Sequence, residues 1–537
     1  MTSPRTTARL LILLTLLTPG LLLGGQATAV PAGKPATLVS EQVRDRSLQA
    51  LPTSVQRAEA ERTLEDAKQL MTPKPKHEAK KALREGRDVT LLLRDLWLKQ
   101  SALDDDEQVA ARSLQVRPSA RLNSCSTAWG RSAPVCVHWN RGGAGGATDA
   151  YAQKVMRTVS HVHNTYVRAG YRAPKDDRGI AGAGDRRTDI YLADLAPMGF
   201  YGYCTIDQGR RAPGPGRFDV PAFCVLDNDF AASQYGTGHT ATEFMQVTAA
   251  HEYFHAVQFA YDAAEDQWLM EGTAVWAEDE VYDSINDNRQ YLRYSPLSRP
   301  AVSLDNGQRR GGVFKYGAWT FFRHLSEAYP ASTGGLPTII RKIWERADSR
   351  RGARYDRWSS QAIAQELRSR GDSLRTHFGQ FAADNRVPRR RYSEGREGRY
   401  NAARPAGRAV LRPKRKRAAG TYRINHLAAK THRFIPKVKG KRRKLQISVD
   451  MPRKKIGTSA LVTVRRKNGK ARTRFVRINR AGDGRIRVPF NGRRVRYVEL
   501  TLVNGSAAMT CWQNTGFGCR GVAKHDRRPF SFTARVR

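Results

Sequence analysis

The spacing of apolar positions changes along the chain and divides it into regions. Residues 58–71 and 88–114 repeat apolar positions every three to four residues, which predicts helices, and Pro73 and Pro75 separate the two runs. From about Cys125 the texture turns to strands and glycine turns. VCVHW (135–139), TDIYLADL (188–195) and VPAFCVLDNDF (220–230) read as strands, with an amphipathic helix over 149–169. The glycine- and proline-rich residues between the last two strands read as a loop excursion. TATEFMQVTAAHEYFHAVQFAYD (240–262) predicts a long helix, and helical patterns follow at 267–283, 312–329, 335–346, 358–369 and 372–384. After a basic linker at 391–419, KLQISVD, ALVTVRRK, TRFVRIN, RIRVPF and RYVELTLV alternate in twos between turn dipeptides. The expected class is α+β: a mixed sheet lobe, a central helix and a helical lobe over 121–390, then an all-β, sandwich-like domain over 420–537.

The amino-terminal residues add an address. Arg5 and Arg9 precede an apolar run at 10–23, and Ala27-Thr28-Ala29 offers a small-x-small cleavage site, so 1–29 read as a secretory signal peptide. No later stretch approaches 18 uninterrupted apolar residues, so a secreted or envelope-associated protein without a membrane span is expected. Residues 30–120 lack cysteine and fit a helical propeptide or accessory region. Six cysteines fall into three local pairs, Cys125 with Cys136, Cys204 with Cys224 and Cys511 with Cys519. An even count at close spacing suggests disulfides, although sequence alone leaves the connectivity open.

Charge changes the picture of the C-terminal third. The chain carries a formal +44, and residues 401–537 hold 38 Lys plus Arg against 4 Asp plus Glu. A bias in amino-acid usage would not strip acids from one region alone, so a polyanionic partner is expected for residues 400–537. The RGGAGGATD loop at 141–149 lacks the spacing of a phosphate cradle.

The chemistry concentrates in HEYFHAVQFAYDAAEDQWLMEGTAVWAEDE, residues 251–280. His251 and His255 lie four apart, so a helix puts both imidazoles on one face, where they can share a metal ion. Glu252 lies beside them, placed to move a proton on a water at that metal. Zinc asks for a third protein ligand and an open position. The histidine of the longer HExxHxxGxxH pattern is excluded, because Gln258 and Tyr261 occupy the corresponding positions. The downstream acids remain: Glu271 comes sixteen residues after His255, and Glu278 seven later on the same helix face.

These residues resemble the gluzincin metallopeptidases. The HEYFHAVQ string and the EGTAVW block are most similar to a group of secreted bacterial metalloendopeptidase-like proteins, over roughly 125–390. The resemblance implies a zincin-like catalytic domain that binds Zn2+ through His251, His255 and Glu271, with Glu252 as general base and Glu278 orienting a ligand histidine. The interval from His255 to Glu271 is shorter than in the best-known members, which keeps Glu278 in view as the third ligand. The resemblance also implies a tyrosine or histidine donor to the oxyanion, for which Tyr316 and then His324 are candidates. It further suggests that FCVLDNDF lies along the cleft as an edge strand and pairs with a peptide substrate.

The function expected is hydrolysis of a protein or peptide substrate. The rival expectation is an envelope- or polyanion-binding exported protein with a non-proteolytic HExxH site. A zinc hydrolase with a non-peptide substrate is a third. Acid clusters at 227–229, 262–266 and 278–287 raise Ca2+ as a further cofactor, although none has EF-hand spacing.

Overall fold

A computed structural model describes residues 53–537 apart from 85–88, 144, 178–179, 181–184, 208–217, 307–311, 441, 511–514, 516 and 518–521. The expected signal peptide and the Cys511–Cys519 pairing fall outside the described residues. The chain is a mixture of helices and several sheets.

Four helices come first: α1 (Thr53–Met71), α2 (Lys76–Arg84), α3 (Thr90–Lys99) and α4 (Asp105–Ser113). The run expected over 88–114 is divided because Asp104 starts a new helix. Its side chain accepts from the Glu107 amide while Glu107 accepts from the Asp104 amide, a capping box.

The first sheet holds β1 (Leu122–Asn123), β2 (Val135–Trp139), β3 (Thr188–Ala193), β4 (Gly202–Ile206) and β5 (Ala222–Asp227), in the order β1-β2-β3-β5-β4. β2, β3 and β5 run parallel, and β1 and β4 are antiparallel edges. α5 (Asp149–Arg168) makes the crossover from β2 to β3. The strand expected at the cleft edge, FCVLDNDF, is instead bonded on both sides, to β3 and to β4. The edge strand is β4, inside the stretch expected to be a loop excursion. Its five residues follow Pro197 and Gly199 and begin at Gly202, too short and too broken a pattern to show period two.

Both faces of this sheet are covered. Tyr191, Tyr203, Phe223 and Val225 on one face meet Leu64, Leu93 and Leu96 of the amino-terminal helices. Ile190, Cys224 and Leu226 on the other meet α5 and α6 (Ala241–Asp262) through Val155, Val159, Phe254 and Val257. The alternation of residues 223–226 between the two cores is the period of a strand buried on both sides.

α7 (Gln267–Val281) follows, then α8 (Trp319–Ala328), α9 (Thr338–Arg346), α10 (Ser360–Ser369) and α11 (Leu374–Asp384). The run expected over 312–329 is interrupted, a one-turn helix at Phe314–Gly317 preceding α8. No described helix is long and apolar enough to cross a membrane.

The C-terminal region holds β6 (Gly407–Leu411), β7 (Arg417–Ile424), β8 (Ala428–Pro436), β9 (Lys444–Asp450), β10 (Thr458–Arg466), β11 (Ala471–Phe475), β12 (Gly484–Pro489), β13 (Val495–Asn504) and β14 (Arg528–Val536). They form a five-stranded sheet, β11-β10-β13-β8-β6, and a four-stranded one, β12-β9-β14-β7. Val462, Leu500 and Phe434 of the first share a core with Ile447, Val488 and Phe532 of the second. The opposite face of the five-stranded sheet joins the rest of the protein: Leu461 and Val503 enter the core that holds Phe378 of α11, and Arg386 donates to both oxygens of Glu499 at 2.9 and 3.0 Å. β6 and the start of β7 fall within 391–419, the stretch expected to be linker. Alternate residues of β7 (Arg417, Thr421, Arg423) face outward, so the strand carries a basic face that reads as a charge run.

Candidate metal centre

α6 begins at a capping box between Thr240 and Glu243 and is buried almost throughout from Phe244 onward. A turn at 263–266 brings α7 back against it, and the expected residues converge across the seam. Nε2 of His251 lies 3.1 Å from Nε2 of His255 and 3.3 Å from Oε2 of Glu271, which is 3.7 Å from Nε2 of His255. Tetrahedral ligands about 2.0–2.1 Å from a zinc ion stand about 3.3 Å apart. The three donor atoms therefore have the size of one face of a zinc tetrahedron, and the donor set, two imidazoles and a carboxylate, suits that metal. Glu271 takes the third corner and Glu278 does not.

Glu278 serves His251 from the other side, where its Oε1 pairs with Nδ1. Nδ1 of His255 pairs with Oε1 of Gln258 at 2.7 Å, and Gln258 is fixed in turn by donating to Met270 O (2.9 Å) and Thr273 Oγ1 (3.0 Å). Both rings thus carry the Nδ1 proton against an oxygen acceptor and turn Nε2 toward the triangle. Gln258 is a residue of the candidate site that sequence reasoning missed, having been weighed only as an obstacle to another pattern. The available signal was an amide three residues after His255 in an apolar helix.

Lys315 was also missed. Its Nζ lies 3.1 Å from Oε1 of Glu271, so a half-buried cation balances a fully buried carboxylate. The glycine after Glu271 has a steric reason. A Cβ at Gly272 would stand 2.7 Å from a Phe322 ring atom and 3.1 Å from the Ala318 methyl, so the bare glycine lets α7 come close to α8 and the residue before it.

The electrostatics favour a cation in the triangle. Burial opposes charge on His251, yet Glu271 and Glu278 outweigh it and hold the imidazole well above its ordinary range. Burial, reinforced by His251, pushes His255 down to about 3. Burial lifts Glu278 to about 7 against the pull of His251.

Glu252 points away from the helix seam toward the edge strand. Its Oε2 accepts from Oγ1 of Thr90 at 2.9 Å, and the same hydroxyl oxygen accepts from the backbone N–H of Cys204 at 2.9 Å. Cys204 sits directly opposite Cys224 with Cα atoms 4.0 Å apart, a non-hydrogen-bonded antiparallel pair whose N–H points outward from the sheet. The disulfide between them lies under α6, with Sγ of Cys204 2.8 Å from the Glu252 carbonyl oxygen. The second disulfide, Cys125–Cys136, is also present, and both fit an oxidising compartment. α3 is deeply embedded here, its Arg94 donating to Ala263 O and, at 2.9 Å, to Glu265 O in the turn between α6 and α7.

Tyr316 is buried with its ring centroid 6.3 Å from that of His251 and stacked on Tyr291 at 4.9 Å. A cavity of about 70 Å³ opens beside His251 and Glu252, lined also by Tyr201, Phe244, Tyr291 and Tyr316. His324 is not brought to the site; it packs among Phe321, Phe381 and His377, and burial pushes it down to about 3.

The acid clusters are largely engaged by protein groups. Asp227 accepts from the amides of Leu195, Asp229 and Phe230 and from the Tyr235 hydroxyl. Asp262 accepts from the Ala264 amide. Asp279 lies near Asp283 and Glu394, but Arg323 pairs with Asp279 and, at 3.1 Å, with Glu280.

No protein-family model matches the chain, and no curated protein matches it either.

Proposed function

We propose that this chain is an exported, zinc-dependent peptidase of zincin-like architecture, similar to the gluzincins, followed by a sandwich-like C-terminal domain. The observation that carries the reading is the triangle of two imidazole nitrogens and one carboxylate oxygen at 3.1, 3.3 and 3.7 Å. The Nδ1 partners Glu278 and Gln258, which fix both ligand tautomers, support it. Zinc held there supplies a Lewis acid that acidifies water toward neutrality and polarises a peptide carbonyl.

The protein's own groups do the rest. Glu252 accepts the proton of the attacking water and passes it to the leaving amine. Thr90 holds one oxygen of that carboxylate and so sets its orientation. Tyr316, whose ring centroid lies 6.3 Å from that of His251, donates to the developing oxyanion. The aromatic cavity beside them receives a substrate side chain, and the outer edge of β4 near Gly202 offers main-chain partners to an extended peptide.

A metal assay combined with cleavage of unfolded casein by wild type and Glu252→Gln tests this. Wild type is expected to hold about one zinc per chain, and the variant to keep its zinc while losing two to four orders of magnitude in rate, the usual span for a removed general base. A wild type without zinc, or a variant that cleaves equally well, overturns the proposal.

A further inference from the structure

The four-stranded C-terminal sheet has one face in the core and one in solvent, and register fixes which residues share the outer face. Gln446 of β9 lies opposite Arg487 of β12 on one side and Arg535 of β14 on the other, and Arg535 lies opposite Arg417 of β7. One row across the sheet therefore reads Arg487, Gln446, Arg535, Arg417. Two residues further along the strands, Ser448 lies between Arg485 and Thr533. In the other direction Lys444 of β9 lies next to Arg537, their backbones exchanging hydrogen bonds at 3.1 and 2.9 Å.

Arg417, Lys444, Arg485, Arg487, Arg535 and Arg537 are all exposed. Among the described residues none is ion-paired; Arg485 donates to Ser448 at 3.3 Å and Arg487 to Gln446 at 3.1 Å. The one acid at an outward strand position, Asp450, stands at the far end of its strand. The five-stranded sheet, by contrast, turns its outer face to α11, where Glu499 takes up the charge of Arg386 and Arg433. The unneutralised face therefore belongs to the sheet that does not pack on α11.

Six unpaired cations on a flat surface concentrate a polyanion. The polar residues between them decide its kind. Ser448, Thr533 and Thr421 offer hydroxyl groups, and no aromatic ring stands at an outward position for bases to stack on. The one strand tyrosine near this face, Tyr422, stacks inward on Phe532. Across four strands the backbone spans about 14 Å, wider than the roughly 12 Å major groove that a reading element must enter. We propose that this face binds a linear anionic glycan, recognised through its repeating charge and its hydroxyls. The proposal does not depend on the metal site.

The test uses the full chain and polygalacturonate as probe. Affinity is measured against salt for wild type, for the row variant Arg417→Gln/Arg487→Gln/Arg535→Gln, and for a control that removes the same charge elsewhere, Arg472→Gln/Arg474→Gln/Arg477→Gln. The row variant is expected to bind at least about tenfold more weakly at low salt, with the slope of log K against log salt reduced by about 2, the sum of three lost contacts on a flexible polyanion at ~0.7 each. The control is expected to keep most of the affinity and the slope. Equal losses in the two variants would mean that net charge alone binds the polymer and would overturn the assignment of this face. Tighter binding of an oligothymidylate than of polygalacturonate at equal charge would overturn the choice of a glycan.

Discussion

The candidate metal centre and the outer C-terminal sheet are both dense in charge, and they handle it in opposite ways. At the candidate metal centre the carboxylates are buried, the cations nearly so, and each has a specific partner: Glu271 faces His251 and Lys315, and Glu278 faces His251. On the sheet, six cations stand in water without a carboxylate between them. An unpartnered charge costs several kcal/mol in the interior and almost nothing at the surface, where water and salt screen it. The first arrangement fixes geometry to fractions of an ångström and suits catalysis. The second fixes only a density of charge and suits adhesion. Changes to partners should therefore be felt sharply at the metal centre, and single charges should matter little on the sheet.

The sharpest test of that contrast is Thr90, a neutral residue from a distant helix. Thr90→Val keeps the shape and removes the hydroxyl that joins Glu252 to the edge strand. With Glu252 as the base, a displaced carboxylate should slow hydrolysis about 100-fold, the order expected for roughly 1 Å of misplacement. Zinc content should be unchanged and KM little altered, and Thr90→Ser should restore most of the rate. A rise in hydrolysis would contradict this positioning role. It would mean that α3 shuts the site, as a prosegment does.

Thr90 also marks the limit of what could be read from the sequence. The pairing of His251 with His255 was legible because a spacing of four on one helix is a local geometry, whereas Glu271 was singled out over Glu278 only through the resemblance to the gluzincins. Gln258 had a local signal that was passed over. Thr90 and Lys315 had none, because each meets its partner only after the chain has folded, Thr90 lying 162 residues from Glu252. The edge strand failed for a different reason. GYCTI is five residues long and starts on a glycine, whereas β5, its neighbour, is buried on both faces and reads as a plain apolar run. In the C-terminal region the alternating runs named from the sequence correspond to β9 through β13, and β6, β7, β8 and β14 were not singled out; at β6 and the start of β7 clustered lysines and arginines imitate a linker.

A smaller effect is expected one layer out from the ligands. Gln258→Met is close to isosteric but cannot accept the Nδ1 proton of His255 or bridge to Met270 O and Thr273. The ring would then be free to turn or change tautomer. Partners of this kind are worth about 10–100-fold in metal affinity. Competition against a chelator should show that loss for Gln258→Met and a much smaller one for Gln258→Glu, which keeps the acceptor. Unchanged affinity in the methionine variant would show that burial alone holds His255 in place.

The smallest effect expected lies where the two regions meet. His426 of the C-terminal region pairs with Asp305 at 2.8 Å and with Asp526 at 3.1 Å, beside backbone bonds from Leu304 to Leu427 and from Ala429 to Pro300. Burial opposes the charge, but Asp305 and then Asp526 outweigh it and push the imidazole up to about 9. A raised histidine stabilises the folded form fully below its unfolded value of about 6.5 and loses that contribution as pH rises through about 9. Asp526 is partly exposed, so screening leaves on the order of 1 kcal/mol. Thermal melts of wild type and His426→Gln from pH 6 to pH 10 should therefore differ most at the acid end and converge toward pH 10. Parallel curves across that range would mean that the seam is held by its backbone bonds and apolar contacts, with the ion pair contributing nothing measurable.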